Sequence, residues 1–220
     1  MDRKVVIPGE VIVEGDDYLP GESTEKRDGK IYSLRYGLVQ EQNNLIKVIP
    51  LSGAYVPQRG NVILGKVENV LANGWLIDIG AADTAFLSIM EVPRYVNKDA
   101  MEEVLGIDDL VLAKIWSINK RGIDLSLKSR GLGRVEEGII FTVNSNKVPR
   151  IIGKEGSMIK IIKENTGCDI TVGQNGSILV KGNEVVDELF AKKAIKFIEQ
   201  KSFVSGLTEE VIKWFGENKK

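Results

Sequence analysis

Histidine is absent from the 220 residues of this chain, and cysteine occurs once, at Cys168. Without histidine there is no imidazole to serve as a general base near neutral pH. Ser-His and Cys-His nucleophile pairs are excluded, and so is the commonest metal ligand. One cysteine cannot form an intrachain disulfide or a Cys-rich zinc site. A carboxylate-only metal site stays open in principle. The acidic pairs Asp108-Asp109 and Glu136-Glu137 fall on opposite faces or in loops, so no convergent cluster marks one. No catalytic residue, metal or cofactor is therefore expected. Long hydrophobic runs are also missing, because Lys, Glu or Gly interrupts the apolar stretches every few residues; no membrane span is expected. Met1-Asp2-Arg3-Lys4-Val5-Val6-Ile7-Pro8 lacks the apolar stretch and small-residue cleavage site of a signal peptide. The expectation is a soluble protein of the cytoplasm.

Hydrophobic residues make up 43% of the chain, enough for real cores, and the formal net charge is −1. That near-neutral sum hides an uneven distribution. Residues 114–163 carry 11 basic and 4 acidic side chains, a net of +7, whereas residues 57–113 carry 4 and 9. One basic segment in a neutral chain points to a local polyanion site, although solvated surface charge would give the same count.

Three segments separate by period. Residues 1–56 read as an all-β domain, with short strands at Lys4–Ile7, Glu10–Val13, Ile31–Arg35, Gly37–Gln42 and Leu45–Ile49, divided by turns rich in Gly, Asp, Asn and Pro. Residues 57–131 hold five more strands: Asn61–Val70, Trp75–Ile79, Thr84–Ser88, Leu110–Ile118 and Ile123–Ser129. Their number and spacing suit a five-stranded OB barrel. A polar insertion lies between the third and fourth, and Asp99–Leu105 within it has room for a turn or two of helix. Residues 137–200 switch to an α+β pattern of order β-α-α-β-β-α. In it Ile139–Val143 is a strand, Pro149–Ile152 a short helix, and Ser157–Thr166 an amphipathic helix stopped by Gly167. Asp169–Val172 and Ser177–Lys181 form a hairpin across Gly173-Gln174-Asn175-Gly176. A last helix is expected to be capped by Asn183, with Val186, Phe190, Ala194, Phe197 and Ile198 as its core stripe. Residues 201–220 form a helical tail, in which Thr208 caps a short helix through Phe215.

The sharpest motif is Arg150-Ile151-Ile152-Gly153-Lys154-Glu155-Gly156-Ser157. Two glycines three apart join two helices. Their missing β-carbons would let a nucleic-acid backbone approach, and the loop amides with the following helix N-terminus offer a phosphate site. A GxxG alone is an ordinary helix–helix turn. Inside a β-α-α-β-β-α order it describes a KH domain, whose loop clamps about four nucleotides of single-stranded backbone. The residues expected to meet RNA here are Arg150, Gly153, Lys154, Glu155, Gly156 and Lys160, with Glu155 an acid set against a polyanion.

The 57–131 segment carries Gly65-Lys66-Val67, Asn73-Gly74-Trp75-Leu76-Ile77-Asp78-Ile79-Gly80, Ala85-Phe86-Leu87-Ser88 and Asp124-Leu125-Ser126-Leu127-Lys128 in that order, and so resembles an S1 domain. S1 barrels stack bases on surface aromatics; the corresponding positions here are Asn73, Leu76 and Ser88, which stack poorly. Alternation puts Trp75, Ile77 and Ile79 inside and Leu76 and Asp78 outside, leaving Phe86, which shares its face with Ser88, as the one candidate stacker. Electrostatic contact through Lys114, Lys120, Arg121, Lys128, Arg130 and Arg134 is the stronger expectation, with sequence-tolerant and salt-sensitive binding.

Taken together, the three segments resemble the archaeal exosome RNA-binding cap subunits of the N-terminal domain–S1–KH type. Val6-Ile7-Pro8-Gly9-Glu10, Tyr18, Pro20-Gly21 and Gly37-Leu38-Val39 carry the resemblance at the start. Val48-Ile49-Pro50-Leu51 and Tyr55-Val56-Pro57-Gln58-Arg59-Gly60-Asn61-Val62-Ile63-Leu64-Gly65 carry it into the barrel, where Asn61 stands in place of a more usual Asp. Gly173-Gln174-Asn175-Gly176 resembles the family's GxNG signature, so Gly173, Asn175 and Gly176 are expected to be structural, at the contact between barrel and KH domain. The resemblance implies a non-catalytic subunit present in three copies on a hexameric ring of RNase PH-type subunits. It would capture single-stranded RNA and feed 3′ ends to the ring for 3′→5′ degradation or tailing. The N-terminal domain would dock on the ring, with Tyr18, Leu19 and Tyr55 as candidate contacts. The main alternative is an S1/KH transcription or translation factor, though elongation factors of that kind usually carry two KH domains. A polynucleotide phosphorylase fragment would have the domains in the opposite order. The sister cap protein ends in a zinc ribbon that one cysteine cannot build. A metal-dependent RNase and a purely structural spacer are the remaining readings.

Overall fold

The computed structural model describes residues 4–97, 100–135, 138–202, 204 and 206–218. The chain falls into two compact units, Met1–Gly53 and Ala54–Lys220.

The first unit is built from two sheets. In one, β1 (Val5–Val6), β6 (Gly37–Gln42), β7 (Leu45–Pro50) and β3 (Leu19–Pro20) lie in the order β1-β6-β7-β3. In the other, β2 (Val11–Glu14), β5 (Lys30–Ser33) and β4 (Thr24–Arg27) lie in the order β2-β5-β4. The alternation of Leu45-Ile46-Lys47-Val48 does what its period dictates: Ile46 and Val48 are buried and join Val6, Ile31 and Leu51 in the core. Asn43 and Asn44 turn β6 into β7 with both φ positive, the backbone that a tight hairpin needs and that Asn tolerates. β3 and β4 carry no apolar alternation. Three of the four β4 residues are charged, and its one buried side chain, Thr24, hydrogen-bonds through Oγ1 to the Ile46 carbonyl at 3.0 Å. Backbone pairing, not hydrophobic period, makes that strand.

In the second unit, β8 (Val62–Leu71), β9 (Gly74–Asp78), β10 (Ala85–Ser88), β11 (Leu110–Asn119) and β12 (Gly122–Ser126) close into a barrel. Its order is β12-β10-β9-β8-β11, and a β11–β12 pairing completes the ring; β10 and β12 run parallel. This is the OB topology. Trp75, Ile77, Leu87, Val111, Ile115 and Leu125 fill it, each fully buried. The insertion between β10 and β11 contributes one helical turn, α1 (Met101–Val104), which covers the barrel with Met101 and Leu105. The indole N–H of Trp75 donates to the Leu105 carbonyl at 2.8 Å, so the buried ring has its polar atom satisfied. Asp99 and the Glu136-Glu137 pair lie outside the described residues.

After a two-residue strand, β13 (Gly133–Arg134), the chain enters a β-α-α-β-β-α domain. It comprises β14 (Ile139–Thr142), α2 (Val148–Ile152), α3 (Ser157–Thr166), β15 (Asp169–Val172), β16 (Ser177–Lys181) and α4 (Val185–Gln200), with sheet order β14-β16-β15. Pro149 sits in the first turn of α2, and Gly167, left-handed at φ 67°, ends α3. Three details differ from the sequence reading. Glu184, not Asn183, precedes α4. Of the expected α4 stripe, Phe190, Ala194, Phe197 and Ile198 pack into the core, but Val186 is 71% exposed, and Glu188, Ala191 and Ile195 join the buried face instead. The last helix, α5 (Leu207–Asn218), is longer than expected and holds Thr208 in its first turn. α5 belongs to the KH core. Leu207, Val211 and Phe215 are buried there, and Trp214 stacks between Phe190 and Phe197 at centroid distances of 5.4 and 5.5 Å.

Candidate nucleic-acid interface

The GxxG loop is shaped by backbone constraints. Gly153 has φ 75° and Gly156 φ 79°, and Glu155 between them is also left-handed at φ 54°. The two glycines are needed for different reasons. A β-carbon on Gly153 would lie 2.7 Å from the Met158 amide nitrogen and 2.8 Å from Met158 Cβ, so this residue is glycine because α3 packs against it. A β-carbon on Gly156 would meet nothing, so only its φ calls for glycine, and its open side is the one a ligand can approach. The Gly153, Gly156 and Ser157 amides donate to the carbonyls of Pro149, Gly153 and Lys154. Those of Lys154 and Glu155 donate to no other backbone group among the described residues. Arg150, Lys154, Glu155 and Lys160 are all exposed around the loop, and of these only Lys160 has an ion-pair partner among the described residues, Glu164, at a loose 3.8 Å.

The six barrel cations do not form one patch. Lys120 and Arg121 make the two-residue tip of the β11–β12 hairpin, where the Arg121 amide donates to Asn119 Oδ1 at 2.8 Å. Lys114 lies six residues back along β11, roughly 20 Å at strand spacing, opposite Val62 on one side and Ser126 on the other. Lys128 is paired with Glu91 at 2.8 Å and Arg134 with Asp109 at 2.8 Å. Burial by itself pushes the Glu91 carboxyl up, but hydrogen bonds from Lys128 and Ser126 outweigh it and hold the group below its ordinary value. Among described residues, Lys114, Lys120, Arg121, Arg130, Arg150 and Lys154 enter no ion pair and are free to meet phosphate. Phe86 is half-buried, opposite Leu76 and Asp124, with its ring over Gly74, and Ser88 Oγ accepts from the Met90 amide.

A hydrogen-bonded seam joins barrel and KH domain. Asn175, 8% exposed, donates through Nδ2 to the carbonyls of Leu64 and Ile79, both at 2.9 Å, while its Oδ1 accepts from the Leu64 amide at 3.3 Å. Gln174 pairs with Val62 twice. Its amide donates to the Val62 carbonyl at 2.8 Å, and its Oε1 accepts from the Val62 amide at 2.7 Å. Gly173 lies so close to Leu64, and Gly176 to the Val143 carbonyl, that neither site accommodates a β-carbon. The turn residues thus act as a short extra strand against β8. Gln174 was not singled out by sequence; nothing local distinguishes a glutamine at a turn until its partner strand is present. A register chain Gln174–Val62–Lys114 results, which puts a free cation one strand from the KH hairpin.

Two other residues stand differently from expectation. Tyr55 lies in the second unit, packed against the barrel core, and donates to Asn61 Oδ1 at 2.8 Å. Burial pushes its phenol up to about 12. It is thus not the exposed edge residue of the N-terminal domain that the sequence suggests, whereas Leu19 is 59% exposed on β3 and Tyr18 is half-buried beside it. Trp116, by contrast, is 46% exposed on β11 and was passed over; its shared parity with Lys114 is the signal that could have found it.

A closed OB barrel joined to a GxxG-bearing KH domain is the architecture of a single-stranded nucleic-acid-binding protein. Residues 3–52 match the family model described as the exosome RNA binding protein RRP4 N-terminal domain, and residues 138–200 match the KH domain. The Exosome complex component Rrp4 of Methanothermobacter thermautotrophicus is 39% identical over 211 residues, covering 96% of this chain and 67% of that protein. The protein of the same name from Pyrobaculum aerophilum is 39% identical over 215 residues, covering 95% and 91%. A crystal structure assigned to the exosome complex RNA-binding proteins is 36% identical with a TM-score of 0.66, covering 75% of this chain and 97% of that one. The chain belongs to the Rrp4 family of exosome components.

Proposed function

We propose that this protein is a non-catalytic RNA-capture subunit of an exosome. In this reading three copies cap a ring of RNase PH-type subunits in the cytoplasm, bind single-stranded RNA and guide its 3′ end into the ring for 3′→5′ degradation or tailing. Residues 1–56 form the ring-docking domain, with Tyr18 and Leu19 as contacts, residues 57–131 and 137–200 form the RNA-binding S1 and KH domains, and residues 201–220 form a helical tail whose α5 packs into the KH core. Arg150, Gly153, Lys154, Gly156 and Lys160 hold the backbone of the strand at the KH loop, while Lys114, Lys120, Arg121 and Arg130 attract it to the barrel. Lys128 and Arg134 contribute less, since each already faces a carboxylate.

The observation that carries this reading is the set of cations free of carboxylates on both domains, in a chain whose close relatives are named exosome components. The test is fluorescence anisotropy of a labelled RNA of about 15 nucleotides over a salt series, with a gel to follow RNA integrity. Binding should weaken with salt by about 0.7 log units per phosphate contact per log unit of salt. It should weaken further in a Lys154→Asp/Lys160→Glu variant, with the RNA left intact. Cleavage of the RNA, or binding indifferent to salt and to the variant, would refute the reading.

A further inference from the structure

The barrel lacks aromatics at the positions where S1 domains stack bases, yet one of its strands carries an exposed indole, Trp116 on β11, apart from the exposed Tyr95 of the insertion. Trp116 sits at a β-bulge in β11: the register with β12 pairs Ile115 with Leu125 and Ser117 with Asp124, leaving Trp116 as the extra residue. Ile115 and Leu125 point into the core, both at 0% exposure, and Trp116 is 46% exposed. A bulge re-aims side chains and makes the strand twist more, a device that recurs next to functional sites. This one leaves an indole, the largest apolar side chain, about half in water.

Its surroundings are specific. Ser117, Asp124, Phe86 and Leu76 form one cross-strand row from β11 through β12 and β10 to β9. Trp116 lies at one end of that row, and half-buried Phe86 is two strands away, about 10 Å at sheet spacing. Past Trp116 the same strand leads into the Lys120-Arg121 tip, where two cations have no carboxylate partner among the described residues. Asp124 is the one acid in the row, and it accepts from Asn119 Nδ2 at 3.0 Å. An exposed ring with cations on one side and an acid on the other suits a ligand with an aromatic face and an anionic edge. A nucleotide supplies both the aromatic face and the anionic edge in one unit, which is why it is favoured as the occupant.

We infer that Trp116 is a base-stacking platform for single-stranded RNA, replacing the missing barrel aromatics, with the flanking phosphates held by Lys120 and Arg121. This rests on the RNA-capture reading above. A π-face accepts any base, so the contact adds affinity without sequence preference.

The test uses the full chain and two probes, an RNA oligonucleotide of about 15 nucleotides and the same length of abasic backbone. The RNA should quench tryptophan fluorescence, and the quench should vanish in Trp116→Phe, since Trp75 is buried and the partly buried Trp214 is stacked between Phe190 and Phe197. The abasic probe should bind with a similar salt slope but without the quench. Trp116→Ala should weaken RNA binding between about fivefold and about a hundredfold with an unchanged salt slope, whereas Lys120→Ala/Arg121→Ala should lower the slope by about 1.4. Trp116→Tyr should recover most of the affinity. Trp116→Ala binding as tightly as the parent, or equal quenching by the abasic probe, overturns the inference while leaving RNA capture standing. So does a change in self-association with RNA affinity intact, which would make the indole a protein contact. If the parent chain binds neither probe, both the inference and the reading it rests on fall. Should Trp116→Ala fail to fold, the quench on the parent chain with the two probes decides alone.

Discussion

A methyl group at position 153 would collide with the backbone of the next helix, and a methyl group at 156 would point into open space. Both glycines have φ near +75°, where a β-carbon costs about 1–2 kcal/mol. Gly153→Ala therefore combines backbone strain with a clash, while Gly156→Ala carries the strain alone. Urea denaturation should show a loss of about 1 kcal/mol for Gly156→Ala and a distinctly larger one for Gly153→Ala; equal losses would mean that the packing of α3 against Gly153 is not as described. The motif read from sequence as two equivalent glycines is thus two different residues in space, and only packing tells them apart. Tyr55 makes the same point. As sequence it is a candidate contact of the N-terminal domain; in the fold it is a barrel residue whose phenol burial pushes up to about 12. Its folded value lies above the unfolded value near 10, so its contribution is fully present below pH 10 and is lost as pH rises toward 12. An ultraviolet titration should show one of the five tyrosines ionising late, and Tyr55→Phe should remove that phase.

At the scale of elements, period was a good guide wherever one face of a strand or helix is buried. β6, α3, β15 and β16 have the ends that alternation and helical spacing predict. The reading failed where something else makes the element. β4 is charged and survives on backbone pairing, and on α4 the expected stripe holds at Phe190, Ala194, Phe197 and Ile198, the two phenylalanines covered by the Trp214 stack of α5, but not at Val186, which stays in water. A helix face is defined by its partners, and α5 is a partner that local spacing does not reveal. The 173–176 turn belongs to this scale too. Asn175→Ala would strip partners from the Leu64 amide and carbonyl and the Ile79 carbonyl at once. Buried groups left unpaired cost about 1–3 kcal/mol each, less where water enters. We expect a loss of about 2–4 kcal/mol for the barrel–KH unit, with faster hydrogen exchange at the Leu64 amide. An unchanged exchange rate there would deny the seam its role.

At the scale of the whole molecule, absence of histidine governs the pH response. The carboxyls with clear shifts, Glu10, Glu25, Glu91 and Glu199, are all held below their ordinary value. For Glu10 and Glu25 the leading cause is a hydrogen bond from Lys4 and from Arg27; for Glu199 burial opposes the shift, and bonds from Lys196 and the Asn144 amide outweigh it. A lowered folded value means stability that is present above the unfolded pKa and lost as pH falls through the folded one. The urea midpoint should therefore stay nearly flat from pH 8 to 5 and fall below about 4.5. A step near pH 6.5 would contradict the composition itself.

What the sequence determined by itself follows from local rules: an all-β start, a five-stranded barrel and a β-α-α-β-β-α domain, one segment rich in cations, and the exclusion of histidine chemistry. Strand period, helix spacing and the conformational needs of glycine act over a few residues, so they are legible without a fold. Tertiary structure alone decided which cations stay free and which meet Glu91 or Asp109, that Gln174 and Asn175 bind β8, that Tyr55 belongs to the barrel and that Trp116 stands in water. Each of those depends on a partner far along the chain, such as Asn175 on Leu64 111 residues away, and no local pattern carries the identity of a distant neighbour.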